Sequence, residues 1–331
     1  IADYRAEARA IHTNCPPAGA FRGFGVPQAA IALESLIDEL AGKLGIDPLE
    51  LRLRNALENG VPTVCGQVFS QGVGIRACLK ALRPAWEAER AAAEAFNRDA
   101  TGPLRRGVGV ASGWYGCGNT SLPNPSTIKA GIRADGAIVL HQGAMDIGQG
   151  ANTVITQIFA TALGVPVAGI GLIGPDTDLT PDAGKTSASR QTFVSGNAAR
   201  LCGAALRAEV LRAVNASDQA LLSVADGAIT VDDGASRHRI ALGPLAADGD
   251  GYVFAASGHY DPPTKPLDEN GQGEPYAQFG YAAQLAVAEV DTRLGTVRLL
   301  RLVAAHDVGL AVNPMLVEGQ IQGGVAQGIG M

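Results

Sequence analysis

The residues best suited to chemistry lie near the start of the chain. Arg22 stands between Phe21 and Phe24 and beside Gly23 and Gly25. They belong to a stretch that runs from Thr13 through Asn14, Cys15, Pro16, Pro17, Ala18, Gly19 and Ala20 to Gln28, just ahead of a helical run. Glycine lets a backbone approach a ligand closely. A helix start offers free N–H groups to an anion or an oxo group, and aromatic rings stack on a flat molecule. A packed loop with a solvated arginine is the plainer reading of the same residues.

Two other stretches imitate nucleotide-binding motifs and fail on spacing. Ala183-Gly184-Lys185-Thr186-Ser187 looks like the end of a phosphate-binding loop, but Leu179 stands where that motif needs its first glycine, and Pro175 and Pro181 intrude. Gly107, Gly109 and Gly113 have the wrong spacing for a dinucleotide fingerprint and fall inside a strand-like run rather than after it. His12, His141, His238, His259 and His306 show no metalloprotease spacing and read as surface or hydrogen-bonded residues. Cys15, Cys65, Cys78, Cys117 and Cys202 contain no CxxC pair, which argues against zinc or an iron–sulfur cluster held by this chain. Their odd number argues against a disulfide framework, and they read as small buried hydrophobes.

Composition narrows the class further. At 331 residues and 47% hydrophobic, the chain can build a large core, and at roughly 150 residues per domain it reads as about two domains. Lys and Arg total 26 against 32 Asp and Glu, a net charge of −6, so no basic excess favours nucleic acid. No apolar run reaches the roughly 18 residues of a membrane span. The 43 glycines are about twice the average share and suit a buried extended ligand. Ile1 is not an initiator Met, and Gln327 to Met331 stop inside an apolar, helix-like run. The expectation is a piece, or a subunit completed by another chain, without a visible signal peptide.

The positioning elements follow from periodicity. Ala29, Leu33, Leu36, Ile37, Leu40 and Leu44 have helical spacing over 28–44. Asp47-Pro48 starts a second helix as N-cap and first turn, and a third runs over about 77–98. Strands are expected at 107–115, 128–132, 137–141, 168–173, 279–291 and 297–305, with helices at 151–163, 193–214 and 316–331. Asp135-Gly136 marks a hairpin turn. A hairpin, then Asp146-Ile147-Gly148, then a helix is echoed by a hairpin, then Asp307-Val308-Gly309, then a helix, which reads as an internal repeat.

Several motifs in this order resemble one family. Ala20 to Gln28 resembles the AFRGFG-x-PQ segment of the molybdenum hydroxylases, the xanthine dehydrogenase and aldehyde oxidoreductase relatives. Glu34 to Asn55, closing on Asp47-Pro48-Leu49-Glu50-Leu51-Arg52-Leu53-Arg54-Asn55, is similar to the family's next helical segment. Asp146-Ile147-Gly148-Gln149-Gly150 with Thr153 looks like its first cofactor loop here, and Thr186-Ser187-Ala188-Ser189-Arg190-Gln191 with Gly196-Asn197-Ala198 like a second. His306-Asp307-Val308-Gly309, Asn313-Pro314, Glu318 to Gly324 and Gln327 to Gly330 resemble its last Gly-rich segment.

The resemblance implies an α+β fold, the molybdopterin-binding domain of the molybdenum hydroxylases, with two similar sheet-and-helix layers plus the helical tail of a preceding domain. Residues 1–75 would end a first molybdopterin-binding domain, 76–104 would be a helical connector, and 105–331 a truncated second domain. It implies molybdenum on molybdopterin, in the cytosine dinucleotide form. Iron–sulfur clusters and FAD would lie on partner domains or subunits, and the rest of the molybdenum subunit would be a further partner. The implied cofactor contacts are Ala20, Phe21, Arg22, Gly23, Gly148, Gln149, Gly150, Thr153, Ser187, Ser189, Arg190, Gln191 and Gln327, with Lys185 adding charge. Phe24 and Tyr115, with Trp114 beside it, would wall the pocket of a small-molecule substrate.

The implied reaction is hydroxylation of an aldehyde or of a carbon beside a heteroatom, with water as oxygen source and a glutamate as general base. That glutamate is expected beyond Met331. Glu274 in Gly271-Gln272-Gly273-Glu274-Pro275 imitates its segment but precedes a strand where the family has a turn. No protein side chain is expected to bind the metal directly. The expected compartment is the cytoplasm, with the periplasm second. A cofactor-free fragment and a metal-independent binding module stay open as alternatives.

Overall fold

The computed structural model describes residues 4–17, 19–118 and 123–331, so Ala18 of the arginine-bearing stretch lies outside the described residues. Two compact units share the chain: residues 1–116, 265–310 and 324–331 form unit 1, and residues 117–264 and 311–323 form unit 2. The units are interleaved along the sequence. They group residues that the 1–75, 76–104 and 105–331 division keeps apart.

In unit 1, helices α1 (Val26–Leu44), α2 (Pro48–Asn55) and α3 (Ile75–Asp99) accompany strands β1 (Leu104–Gly116), β9 (Phe279–Asp291) and β10 (Val297–Asp307). The sheet order is β1-β9-β10, antiparallel throughout, with β10 shifting register between Leu299 and Arg301. Leu79, Leu82 and Trp86 of α3 pack with Val110, Ala283 and Leu285. Each fully buried large apolar side chain contributes about 1.5–3 kcal/mol.

Asp47 caps α2 as its spacing predicts, accepting from the Glu50 N–H at 3.0 Å, and also takes the Trp86 indole N–H at 2.9 Å. Arg52, almost fully buried, ties α2 to α1 through Glu34 at 2.6 Å and Asp38 at 2.7 Å. The apolar spacing of α1 is correct, but the face it draws is not covered. Leu33, Leu36, Leu40 and Leu44 are 47–62% exposed, and only Ala41 of the helix is buried.

In unit 2, strands β2 (Ser126–Arg133), β3 (Ile138–Gln142), β4 (Ile170–Ile173) and β8 (Tyr252–Tyr260) form a sheet of order β4-β3-β2-β8. Helices α4 (Ala151–Leu163) and α5 (Gln191–Ala213) pack with it through Ile155, Phe159, Ala198, Cys202 and Leu206. β3 and β4 run parallel, joined by α4 as such a crossover requires. A second sheet, β5 (Leu221–Ala225), β6 (Ala228–Asp232) and β7 (Arg237–Ala241), is an antiparallel meander. Neither this meander nor β8 figures among the elements expected from periodicity.

The last helix, α6, spans Pro314–Gly330. The two hairpin-to-helix passages share one local device. The Asp146 carboxylate accepts from the Gly148 N–H at 2.9 Å, and the Asp307 carboxylate accepts from the Gly309 N–H at 2.9 Å. Among the described residues, no helix is long and apolar enough to cross a membrane. The cysteines correct the uniform reading given above. Cys78 and Cys202 are buried, Cys65 and Cys117 are partly exposed, and Cys15 is exposed.

Candidate functional site

In unit 1 the 20–25 loop is built from two consecutive tight turns. The Phe24 N–H donates to the Phe21 carbonyl at 2.7 Å, and the Val26 N–H to the Gly23 carbonyl at 3.0 Å. Gly23, Phe24 and Gly25 all have positive φ, at 96°, 48° and 92°. A Cβ on Gly23 would meet the Pro27 ring at 2.7 Å, so glycine is required there on two counts. Phe24 holds the left-handed conformation at a cost of about 1–2 kcal/mol, and the residue is 72% exposed. Ala20, Phe21 and Arg22 are exposed as well. The Gln327 amide donates to the Arg22 carbonyl at 2.7 Å, so two residues expected to share a site do meet.

Tyr115 and Trp114 do not act together, because neighbours on a strand face opposite sides of the sheet. Trp114 joins an aromatic cluster, 4.6 Å from Phe279 and 6.4 Å from Tyr281 between ring centroids. Glu274 lies on an exposed loop, paired with Lys265 at 3.0 Å across an isolated bridge. His306 is partly buried, and its Nε2 has no partner among the described residues. Burial pushes its pKa down, which keeps the ring neutral.

In unit 2 the 145–153 loop is organised by Asp146. Its carboxylate accepts from the N–H groups of Gly148 at 2.9 Å, Gly150 at 3.3 Å and Asn152 at 3.0 Å. Burial works upward on its pKa, but the N–H groups of Asn152, Gly148 and Gly150 outweigh it and hold the carboxyl below the ordinary range. A resident carboxylate thus already answers part of the α4 N-terminus. Gln149 also turns back on its own loop. Its Oε1 accepts from the Ile147 N–H at 2.7 Å, and its Nε2 donates to the Met145 carbonyl at 3.2 Å. Gly148 and Thr153 remain on the surface.

The 183–191 loop divides its residues between inside and outside. Arg190 is 1% exposed and donates to the carbonyls of Ala183, Lys185, Asn124 and Pro125. Burial lowers its pKa, with Asp182 and Asp261 working the other way. Gln191 is 7% exposed and donates to the Lys185 carbonyl at 3.1 Å and the Thr186 hydroxyl at 3.2 Å. Both side chains hold the loop from within. Lys185, Ser187 and Ser189 face outward. Ala188 and Ser189 both have φ of 53°, a left-handed pair that delivers the chain to an α5 start without a side-chain cap.

Sequence reasoning missed the work of Asp146, Thr186 and Gln320. Asp-x-Gly is an Asx-turn signal and was legible as such. Gln320, whose Nε2 lies 3.5 Å from the Gln149 carbonyl, stands in the Glu318 to Gly324 stretch, but nothing there points to its partner.

On unit 2 the outward donor set is hydroxyls, an ammonium and backbone N–H groups. Among the described residues no group of three or more His, Cys, Asp or Glu could hold a metal ion. Such a set fits an extended anionic ligand that carries its metal on its own organic donors.

Comparison with known proteins agrees. A molybdopterin cofactor-binding domain model matches residues 80–331, and a second model of that description matches residues 1–56. The chain therefore belongs to the molybdopterin cofactor-binding domain family. It is 35% identical to the xanthine dehydrogenase molybdenum-binding subunit of Escherichia coli O157:H7, covering 99% of this chain and 43% of that protein. It is 34% identical to the aldehyde oxidoreductase of Megalodesulfovibrio gigas, covering all of this chain and 34% of that one. The solved aldehyde oxidoreductase of Desulfovibrio desulfuricans superposes with a TM-score of 0.79 at 31% identity, over 94% of this chain and 32% of that one. The chain thus spans less than half the length of these relatives.

Proposed function

We propose that this chain is the cofactor-holding part of a molybdenum hydroxylase that oxidises an aldehyde or an N-heterocycle with water as oxygen source. The observation that carries the reading is the outward row Lys185, Ser187 and Ser189 on a loop locked from beneath by Arg190. Preorganised donors of this kind suit a diphosphate-bearing ligand, such as the cytosine dinucleotide form of molybdopterin. Thr153 and the Gly148 backbone would hold the same ligand. In unit 1, taken by itself, the Ala20–Gly23 backbone and Gln327 offer donors suited to a molybdenum-bearing group. When bound, the cofactor supplies the two-electron oxidation of substrate.

The residues of this chain orient and shield. Phe24 presents an exposed ring to a flat substrate, and Tyr115 would wall the pocket on its side of β1. A glutamate general base would take up the proton; Glu274, whose segment precedes β9 where the family has a turn, is not proposed for that role. Electrons would leave through iron–sulfur clusters, and in some assemblies FAD, on partner domains or chains. The uncovered Leu33, Leu36, Leu40 and Leu44 face supports a polypeptide partner, the rest of a molybdenum-binding subunit.

The test is turnover in heavy-oxygen water. The purified protein with its co-purifying chains, given an aldehyde or a purine and a dye as electron acceptor, should yield product carrying the heavy oxygen. Product labelled from dioxygen, or no oxidation of either class, would sink the reading.

A further inference from the structure

We propose that Thr186, Gln191 and Ser195 are positioning residues that lock the 183–191 loop onto the 145–150 loop, so that both present their donors to the cofactor as one unit. The proposal rests on the cofactor reading above and goes beyond it, because it gives the three side chains a role between the loops, apart from any ligand contact.

The two loops share one carbonyl. The Thr186 hydroxyl donates to the Met145 carbonyl at 2.8 Å, and the Gln149 amide donates to the same oxygen at 3.2 Å. Behind Thr186 the hydrogen bonds form a chain whose direction is fixed. The Gln191 amide nitrogen lies 3.1 Å from the Lys185 carbonyl and 3.2 Å from the Thr186 hydroxyl oxygen. A carbonyl can only accept, so this end of the amide must be the nitrogen. The Gln191 Oε1 therefore accepts, and Ser195 Oγ donates to it.

With the Ser195 proton committed there, the 2.9 Å contact between Ser126 and Ser195 has Ser126 as donor. Ser126 and Ser195 are both fully buried and Gln191 nearly so. A one-way chain thus runs from the start of β2, through α5, to the backbone of the neighbouring loop. Each member donates forward and accepts from behind, so reversing any one member breaks two links.

The chemistry demands a hydroxyl at 186 and an amide at 191. Thr186→Val keeps the shape and removes the hydroxyl. Thr186→Ser keeps the hydroxyl, and Thr186→Ala is a second, less bulky hydroxyl-free variant. Gln191→Glu keeps the shape but places an acceptor where the chain needs a donor.

The experiment measures three things on the protein purified with its co-purifying chains: amide hydrogen exchange over 145–150, molybdenum and pterin per chain, and melting temperature. Thr186→Val, Thr186→Ala and Gln191→Glu should each speed exchange over 145–150 by about fivefold to tenfold, the size of one lost net hydrogen bond. Molybdenum and pterin content should fall several-fold, with melting temperature little changed in the two Thr186 variants and lowered in Gln191→Glu, whose buried carboxylate would face a carbonyl. Thr186→Ser should restore both. Exchange over 145–150 within twofold of wild type in the hydroxyl-free variants would overturn the coupling. Wild-type protein without molybdenum or pterin would instead overturn the cofactor reading, while the exchange data still decide the coupling.

Discussion

The carboxylate of Asp146 reaches forward across the turn to the backbone N–H of Asn152, 3.0 Å away, and caps α4 from outside the helix. It does the work usually given to a Ser or Asp at the N-cap, where Gly150 stands with a φ of 85° and no side chain. Asp146→Ala should therefore cost about 1–2 kcal/mol in stability. Chemical denaturation of the variant against wild type checks it, and a loss below a few tenths would mean that the cap is ornamental.

The same carboxylate sets a pH dependence. Its folded pKa is held below its ordinary value of 3.8. Glu289, whose bond from Arg106 lowers its pKa most, with burial opposing and Arg298 assisting, is likewise held below 4.5. For a depressed carboxyl the stabilisation is fully present above the unfolded value and is lost as pH falls through the folded one. Melting temperature should thus be flat in pH from these two groups down to about 5, then fall below about 4. Asp146→Asn should flatten the acid side of the profile.

Arg190 holds four carbonyls from a buried position, a task for a planar fork of donors. Arg190→Lys keeps the charge and loses the fork. It should cost about 2–4 kcal/mol, the loss of one or two charge-assisted hydrogen bonds with carbonyls left unsatisfied. Thermal unfolding of the variant reads this directly. An unchanged melting point would contradict the stabilising role given to these four bonds.

α4 and β9 have the bounds their periodicity and flanking glycines imply, because each has a strong local pattern and a clear stop. Arg190 and Gln191 show the limit. An arginine just before a helix can turn outward to an anion or inward to carbonyls, and only the position of the Asn124 and Pro125 backbone decides which. The α1 stripe reads as a buried face because apolar spacing reports what a helix can cover, not what is there to cover it. The β5–β7 meander escaped although Asp226-Gly227, a hairpin-turn pair with φ of 49° and 65°, joins β5 to β6. The flanking strands alternate too weakly to be seen without their partners.

The cysteines give a chemical check on unit 2. Burial pushes the Cys202 thiol up to about 12, so it is neither ionised nor accessible. Exposed Cys15 should label rapidly with a maleimide at neutral pH, and Cys202 only on unfolding. Peptide mass spectrometry after brief labelling distinguishes them. Labelling of Cys202 at the Cys15 rate would show that α5 does not pack against β8 as described.

The most direct test of the whole account is molybdenum and pterin analysis of the purified protein, alone and with any co-purifying chains. The account predicts about one molybdenum and one pterin per chain in the assembled preparation, reduced by Ser187→Ala with Ser189→Ala. Neither molybdenum nor pterin in either preparation would contradict it.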